Sequence, residues 1–344
     1  MKKLLASLLT VALLLVFAGC SAADPGTPSN SGSGSPAPAS PSADDKAADY
    51  PGGKPITVIV PFSAGGEHDL TARAIANEMS KWGYTIVIQN STGADAAALD
   101  YFHDEGYADG YTLLMHSPEV MACNFASGTL TEPVFRDMNY LGNFVFDAGI
   151  ICVKADSPYN SFEELAAAAK AAPGELSWAS VSASGKNYLD SAQIFNIAGL
   201  DFNYIPYSAA NESRAAVLGG HADVYYAYVS GAKATVDSGE LKVLAVAGEE
   251  RSRYFPDAPT LKELGYDITT GLTRCWDAHP KTDPAIVEKL TKDLNECLMA
   301  EETQKVLDNM GLAPYWMTNE EMHAFADTWY DNYTVLYKEL VAGQ

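Results

Sequence analysis

The stretch ITVIVPFSAGGEHDLTARAIANEM, residues 56–79, begins with the pattern of a strand and continues with that of a helix. Between the two lies Pro61-Phe62-Ser63-Ala64-Gly65-Gly66, and the helix is predicted over 69–82. The first turn of a helix leaves its backbone amides without partners, and the helix dipole adds about half a positive charge there. Because glycines let a ligand approach the backbone, this junction can hold a carboxylate without a lysine. The alternative is a tight turn whose glycines serve geometry only.

Three polar residues follow the glycines. Asp69 is expected to act mainly as the helix N-cap. His68 either donates a hydrogen bond to a ligand carboxylate or is an exposed loop histidine with no role. Glu67 would repel an anion if it pointed inward, so we expect it to point out or to meet an amine.

Strand and helix patterns alternate from residue 51 onward. Predicted strands are 56–61, 84–89, 111–116, 143–154, 176–180, 202–206, 222–228 and 242–247. Predicted helices are 69–82, 161–171, 187–198, 209–218, 283–299 and 319–340. Such alternation predicts an α/β fold with parallel sheets covered on both faces. The long strand 143–154 and a second apolar segment, 268–278, are predicted to cross between two domains and form a hinge.

Two further junctions resemble the first. SWASVSASGKNYLDSAQIF, residues 177–195, passes from strand to helix through Ser182-Ala183-Ser184-Gly185-Lys186-Asn187, a second turn suited to an anion. It is not a phosphate loop, because Ser180 and Asn187 stand where that motif needs Gly and Ser or Thr. In YIPYSAANESRAAVLGGHADV, residues 204–224, Tyr207 follows a strand end and is a candidate ligand contact, although tyrosines more often serve packing.

The N-terminus predicts export. Lys2 and Lys3 precede the apolar run 4–18, which is short for a membrane span and typical of a signal peptide. The run leads into Cys20 through small residues, as in a bacterial lipobox, so we expect Cys20 to be lipidated. Phe17 stands where that motif usually has Leu or a small aliphatic residue. An uncleaved anchor with an incidental cysteine is the alternative. Residues 20–50, rich in Ser, Pro, Gly and Ala, are predicted to form a disordered tether.

Composition narrows the partners. The 344-residue chain is 47% hydrophobic with a formal net charge of −22, so it will not bind nucleic acid by charge alone. Cys123, Cys152, Cys275 and Cys297 could pair outside the cytoplasm or remain buried thiols, and none has C-x-x-C spacing. The sequence lacks G-x-S-x-G and H-E-x-x-H motifs, so we expect no enzyme, no metal and no cofactor.

Four segments together resemble one family. These are VIVPFSAGG followed by Asp, DGYTLL at 109–114, YIPYSAA…LGGHADV, and LKVLAVAGEERSRYFPDAPTLKELGY at 241–266. In order and spacing they are similar to the tripartite tricarboxylate transporter receptors, extracytoplasmic solute receptors also called Bug proteins. The resemblance runs from about residue 51 to 340.

The resemblance implies a two-lobed periplasmic-binding-protein fold, each lobe a mostly parallel sheet flanked by helices. We expect a signal peptide at 1–19, the lipidated Cys20 and tether at 20–50, lobe 1 at 51–148 plus 272–344, and lobe 2 at 149–271. The implied function is capture of a small carboxylate by a monomeric receptor, held on the bacterial membrane by its lipid, and delivery to a two-component permease. The candidate ligand-binding residues are Phe62, Ser63, Ala64, Gly65, Gly66, His68, Asp69, Ser117, Ser182, Ser184, Gly185, Lys186, Asn187, Tyr207 and Arg274.

The sequence departs from the family pattern near the expected cleft. Glu67-His68 replace a small residue and Thr, the turn 90–96 has an extra acid and fewer glycines, and 278–284 carries His279 in place of a small-residue turn. These changes favour a ligand with an amine among the di- and tricarboxylates, amino acids and aromatic acids of the family. Arg274 is either a bidentate partner for a second carboxylate or part of a rim salt bridge. Alternative functions are a ligand sensor and, less favoured, a hydrolase.

Overall fold

The computed structural model describes residues 49–91 and 93–341, which contain ten strands and ten α-helices. The predicted signal peptide, Cys20 and nearly all of the tether lie outside the described residues. The strands are β1 (Ile56–Val60), β2 (Ile86–Asn90), β3 (Thr112–His116), β4 (Asn139–Lys154), β5 (Ser177–Val181), β6 (Asn203–Tyr207), β7 (Val224–Tyr228), β8 (Leu241–Val246), β9 (Gly271–Ala278) and β10 (Pro314–Met317). The helices are α1 (Glu67–Ser80), α2 (Ala94–His103), α3 (Pro118–Ser127), α4 (Phe162–Ala171), α5 (Lys186–Ile197), α6 (Ala210–Leu218), α7 (Val229–Asp237), α8 (Pro284–Met299), α9 (Glu301–Asn309) and α10 (Asn319–Leu340).

All eight predicted strands and all six predicted helices are present, displaced by a few residues at most. The second apolar segment forms β9. The prediction did not include α2, α3, α7, α9 and β10. The first three of these helices begin directly after a strand or a short turn and read as continuations of it in the sequence.

The sheet is mixed. Its strand order is β2-β1-β3-β9-β4-β7-β5-β6, with β8 and β10 also paired to β4. The outer pairs of each half, such as β1 with β3 and β5 with β6, are parallel as predicted. The pairs made by β4 and β9 are antiparallel, because these two strands cross between the halves rather than return through a covering helix.

The 16-residue strand β4 joins the two halves. Its first part, Asn139–Ala148, pairs with β9, and its second part, from Gly149 onward, pairs with β7 and β8. At the change of partner, a Cβ on Gly149 would lie 2.5 Å from the Tyr226 hydroxyl and 2.6 Å from Thr270 Oγ1, so a side chain has no room here. β4 therefore connects the two halves, because one strand is part of the sheet in both of them.

Each half has its own apolar core, formed because burial of these side chains removes apolar surface from water. In the first half, Val58, Leu113 and Trp276 pack with helix residues, and one apolar stripe of α8 (Ile286, Leu290, Leu294, Leu298) is buried. In the second half the core is built from Ile151, Trp178, Phe195, Tyr226 and Leu244. Asp283 caps α8, its side chain accepting the Ala285 amide at 3.1 Å.

The four cysteines of the described residues are all buried free thiols. Of the two alternatives that the sequence left open, the structure therefore has the unpaired one. Burial raises the pKa of the Cys123 thiol to about 12, so this thiol stays protonated at neutral pH.

Candidate ligand-binding site

The first junction, residues 61–69, carries the unpartnered start of α1. Gly66 is the N-cap residue, in an extended conformation (φ −76°, ψ 169°), and no side chain of the described residues caps the helix. Gly65 has φ +78°, a region that favours glycine. The preceding residues Ser63, Ala64 and Gly65 are exposed. The loop before the helix is therefore open to solvent, and the first-turn amides of α1 have no partners within the helix.

The prediction that Asp69 is the N-cap is wrong, because the helix begins two residues earlier, at Glu67. The Asp69 carboxylate instead accepts the Gly65 amide at 2.8 Å and is held by Arg73 and Asn90. Burial by itself would raise the pKa of Asp69, but the hydrogen bonds from these three groups lower it overall. Asp69 thus holds the glycine turn in place and does not cap the first-turn amides of α1.

The candidate residues Phe62, His68 and Ser117 lie together. The rings of Phe62 and His68 stack with centroids 3.9 Å apart. The Ser117 hydroxyl donates to the Thr273 carbonyl, so its oxygen accepts from His68 Nε2 at 2.9 Å. Burial, and then the nearby Arg274, hold the pKa of His68 well below its usual range. His68 is therefore a neutral, buried donor to Ser117, and the alternative of an exposed loop histidine is wrong.

Arg274 on β9 is fully buried, so it is not part of a rim salt bridge. Its Nη2 lies 3.0 Å from both Glu67 Oε2 and Asp147 Oδ2. Asp147 also accepts from the Ser230 amide at 3.0 Å and from the Ser230 hydroxyl at 2.5 Å. The Nε and Nη1 atoms of Arg274 have no acceptor among the described residues. The charge of this guanidinium is thus balanced within the protein. Glu67 turns inward to an arginine of the protein, which differs from the expectation that it would point out or meet an amine.

The second junction, residues 181–187, has its own main-chain geometry. Ser182 has φ +71°, a value that no other non-glycine residue of the described part shares. Its Oγ accepts the Gly185 amide at 3.0 Å. Gly185 is the N-cap of α5 (φ −84°, ψ −174°), without a side-chain cap. Strain of this kind persists where the surroundings hold it, and such positions cluster at binding sites.

Lys186, the first residue of α5, is buried rather than available to a ligand. Its Nζ lies 2.5 Å from the fully buried Asp190 and sits over the rings of Tyr228, Trp329 and Tyr333. Asn187 Oδ1 lies at the limit of hydrogen bonding, 3.5 Å from the Tyr228 hydroxyl. The side chains of the second junction that stay open are therefore the exposed Ser182 and the half-buried Ser184.

Tyr207 ends β6 beside this junction, where its carbonyl accepts the Ser182 amide at 2.9 Å. Sequence reasoning missed Asp147, Asp190 and Arg214. Asp147 did give a signal, as the acid within the apolar segment NFVFDAGIICVK. His279, whose role the sequence left open, is buried, accepts the Lys281 amide at Nδ1 and donates to the Phe102 carbonyl, so it is structural.

One buried cluster has metal-ligating residue types. His116, Cys275 and Asp277 place ligand atoms within 4.8 Å of one another. The His116 ring is already paired with the Asp277 carboxylate, and burial holds the pKa of Cys275 well above its usual value, so the thiol is protonated. A metal would need the thiolate, and the cluster fits a buried hydrogen-bonded pair better than a metal centre.

Three cavities of very different volume lie near these groups. A cavity of about 10 Å³ touches Phe62, His116 and Ser117, room for about one water molecule. A cavity of about 280 Å³ lies between α1 and α7, lined by Glu67, Arg274 and Ser230 among others. A larger one, about 650 Å³, borders Phe146, Tyr254 and Tyr315 and includes none of the candidate residues. Charged groups of both halves line the two larger cavities, and the candidate residue Arg274 lines the middle one.

Two α/β halves joined by crossing strands, with helix-start junctions at the carboxyl ends of their strands, define a two-lobed solute-binding protein. Residues 71–340 match the model of the tripartite tricarboxylate transporter family receptor, and the chain belongs to that family of extracytoplasmic solute receptors. Within the described residues, no helix combines the length and apolar character needed to cross a membrane.

Curated relatives agree. The chain is 31% identical over 274 residues to the UPF0065 protein in the gbd 5′ region of Cupriavidus necator, covering 79% of this chain and 83% of the relative. It is 30% identical over 282 residues to protein BugT of Bordetella pertussis, covering 80% and 86% of the two chains. The match to each relative therefore extends over most of its length.

Solved structures share the fold. A TctC solute-binding protein from Polaromonas, solved without ligand, superposes with a TM-score of 0.73 at 28% identity, covering 85% of this chain and all of that one. MatC from Rhodopseudomonas palustris with bound malate gives 0.68 at 21% identity, covering 82% and 98%. R. palustris Rpa4515 with adipate gives 0.74 at 22% identity, covering 84% and 98%. These last two show a likeness of fold alone.

Proposed function

We propose that this chain captures a small organic acid between its two lobes and delivers it to a two-component permease of the tripartite tricarboxylate type. The observation that carries the proposal is the uncapped, solvent-accessible start of α1 behind Ser63–Gly65. Preorganised backbone amides and the positive end of a helix dipole favour a carboxylate. In a chain with a formal net charge of −22, such a local site is needed to hold an anion.

Residues of both lobes take part in the proposed capture. Lobe 1 (51–148 plus 272–344) supplies Phe62–Gly66, and lobe 2 (149–271) supplies Ser182, Ser184, the main chain at the start of α5 and Tyr207. The exchange of partners along β4 at Gly149 supports a hinge at this boundary. Closure of the lobes would exclude water and strengthen the hydrogen bonds to the acid.

Small carboxylates form the ligand class. The malate and adipate in the two R. palustris structures support an organic acid, since those proteins have the same fold. Di- and tricarboxylates, acidic or zwitterionic amino acids and aromatic acids all present the group that the first junction can hold. Affinity would come from main-chain amides and hydroxyls, and the receptor would bind as a monomer without chemical change of the ligand.

The test is native mass spectrometry of the purified chain, followed by calorimetry with the acid that it retains. We expect one small organic acid bound per chain and released unchanged on denaturation. Turnover of the acid, or retention of a molecule without an acid group, would contradict the proposal.

We further propose that the receptor is held on the outer side of the cell membrane by a lipid on Cys20. The small residues before this cysteine and the polar tether behind it support the proposal. Replacing Cys20 by alanine should move the protein from the membrane fraction to the soluble fraction, as followed by immunoblot. Membrane association that survives the Cys20→Ala change would argue for an uncleaved anchor.

A further inference from the structure

Glu67 places a carboxylate in the space between the two halves. It is the first residue of α1, directly after the glycines of the first junction. Its Oε2 lies 3.0 Å from Arg274 Nη2, and a Cβ built on Gly231 of α7 would lie 2.7 Å from its Oε1. The side chain remains 35% exposed and lines the cavity of about 280 Å³ between α1 and α7. Glu67 therefore extends from one half to a helix of the other.

Without its carboxylate partners, Arg274 could bind an incoming anion. Its Nε and Nη1 are buried and have no acceptors among the described residues. The fully buried Asp147 balances one positive charge here, and two donors from Ser230 hold it in place. Of the two carboxylates beside this guanidinium, that of Glu67 is therefore the one that a ligand can reach.

A second guanidinium contacts the same residue of α7 that Glu67 approaches. Arg214 of α6 is half-buried and donates from Nη1 to the Gly231 carbonyl at 2.8 Å, on the residue that Glu67 Oε1 approaches. Burial raises the pKa of Glu67 overall, and the charges of Arg274 and, more weakly, Arg214 act in the opposite direction. The other five arginines of the described part all have an acidic partner within 4.0 Å, and Arg214 has none.

The charges of these four side chains balance. Arg274 and Arg214 carry two positive charges, and Asp147 and Glu67 carry two negative ones. We propose that Glu67 is an internal carboxylate that occupies the anion position beside Arg274, with Arg214 nearby, so that the receptor selects acids with one carboxylate over dicarboxylates. The inference rests on the proposed function, since it concerns the second end of the acid that the first junction holds.

Two consequences follow for the ligand. A second carboxylate entering this space would meet Glu67, because the other two charged groups of this cavity besides Arg274, Lys233 and Asp237, already form an ion pair with each other. Since Glu67 and the buried Asp147 lie against Arg274, the added carboxylate would leave an excess negative charge in partly dehydrated surroundings, which is unfavourable. A neutral or ammonium-bearing second end meets no such penalty, and an ammonium can use Glu67 as an acceptor. Glu67 thus acts on specificity by repulsion of the wrong ligand as well as attraction of the right one.

The experiment uses acids that differ at one end. Adipate, 6-aminohexanoate and hexanoate have equal chain length and end in a carboxylate, an ammonium and a methyl group. Succinate, 4-aminobutyrate and butyrate form a shorter series for a smaller cleft. Calorimetry at pH 8, which favours the ionised form of Glu67, measures all six acids with the purified full chain, its Glu67→Ala and Glu67→Gln variants and Glu288→Ala. Glu288 is an exposed acid with no ion pair among the described residues, so its loss controls for net charge.

We expect the wild type and Glu288→Ala to prefer the amino acid or the monocarboxylate of one series over its dicarboxylate by about tenfold or more. Glu67→Ala should reverse the order, and Glu67→Gln, which keeps an acceptor for Arg274, should shift it in the same direction. Binding by the wild type that is tightest for a dicarboxylate, or an order unchanged in both variants, overturns the inference and leaves the proposed function standing. If no acid of either series binds any of the proteins, the inference is overturned, and the acid retained on purification decides the proposed function separately.

Discussion

The first and second junctions begin their helices in the same way, but the first side chain of the two helices carries opposite charges. Gly66 and Gly185 have nearly the same extended conformation, and neither helix has a side-chain cap. The next residue is acidic in one case, Glu67, and basic in the other, Lys186. A buried arginine balances the first and a buried aspartate the second. Since both charges are balanced within the protein, the main-chain amides are the groups that each junction offers to a ligand.

The two junctions differ in how deeply the charged side chain at the start of the helix is buried. Lys186 is enclosed by three aromatic rings, whereas the Glu67 side chain keeps 35% of its surface exposed. The loop amide before each helix is also held differently, by the charged Asp69 in the first junction and by the neutral Ser182 hydroxyl in the second. The Lys186 charge of the second junction therefore contributes mainly to stability, whereas the first junction keeps the Glu67 charge where a ligand can meet it.

The largest effect on stability should come from the buried charge of Lys186. In Lys186→Met, the buried Asp190 would lose its cation and keep only hydrogen bonds from tyrosine hydroxyls. We expect a loss of about 3–5 kcal/mol in the free energy of unfolding, because a buried charge is left unpaired. Urea denaturation measures it, and Lys338→Met, at an exposed lysine without an ion pair among the described residues, is the control. Equal losses in the two variants would show that Lys186 is not a structural charge.

Ligand binding should depend on the glycine turn of the first junction. Gly65 and Gly83 have φ values of +78° and +85°, and a Cβ at either meets nothing within 4 Å. Valine at both positions therefore imposes a similar backbone strain. We expect Gly65→Val to weaken binding of the retained acid about 100-fold or more, since the side chain would stand in front of the amides, and Gly83→Val to leave the affinity unchanged. Calorimetry decides, and equal affinities would remove the first junction from the site.

A smaller effect should separate Asp69 from Ser182 by its pH dependence. Asp69→Asn should cost about 1–2 kcal/mol at pH 7, because a carboxylate that accepts several hydrogen bonds is lost. The folded state lowers the pKa of Asp69, so its contribution is full above the unfolded value of about 3.9 and is lost as the pH falls through the folded value.

Ser182→Ala should cost about 1 kcal/mol through the loss of its bond to Gly185, by the same amount at every pH. Urea denaturation of both variants from pH 7 down to the acid limit of the fold tests the pair. A difference between wild type and Asp69→Asn that grows on acidification would contradict the assigned role of Asp69.

The alternation of patterns allowed the fold to be predicted, because each strand and helix buries a face of the period that its geometry requires. The glycines before Glu67 likewise indicated the first junction. The start of α1 was missed because Asp69 turns back to the Gly65 amide instead of capping the helix from outside. Sequence windows do not distinguish these two uses of an aspartate close to a helix start.

The charge pairs show where single-sequence reasoning ends. Lys186 and Asp190 are four residues apart on one helix, a spacing that predicts contact but not burial. The contact of Arg274 with Asp147 spans 127 residues and depends on the register between β9 and β4, which only the folded sheet sets. The proximity of Arg214 to Glu67 needs the packing of α6 and α7 as well, so the sequence could not indicate the balance of these four charges.

The most direct test of the main-chain amide site is a crystal structure of the chain with the organic acid that it retains on purification. We expect the acid's carboxylate oxygens within about 2.7–3.2 Å of backbone nitrogens in the first turn of α1, at Glu67 or His68. A structure in which those nitrogens contact no ligand, with the acid group bound elsewhere, would contradict it.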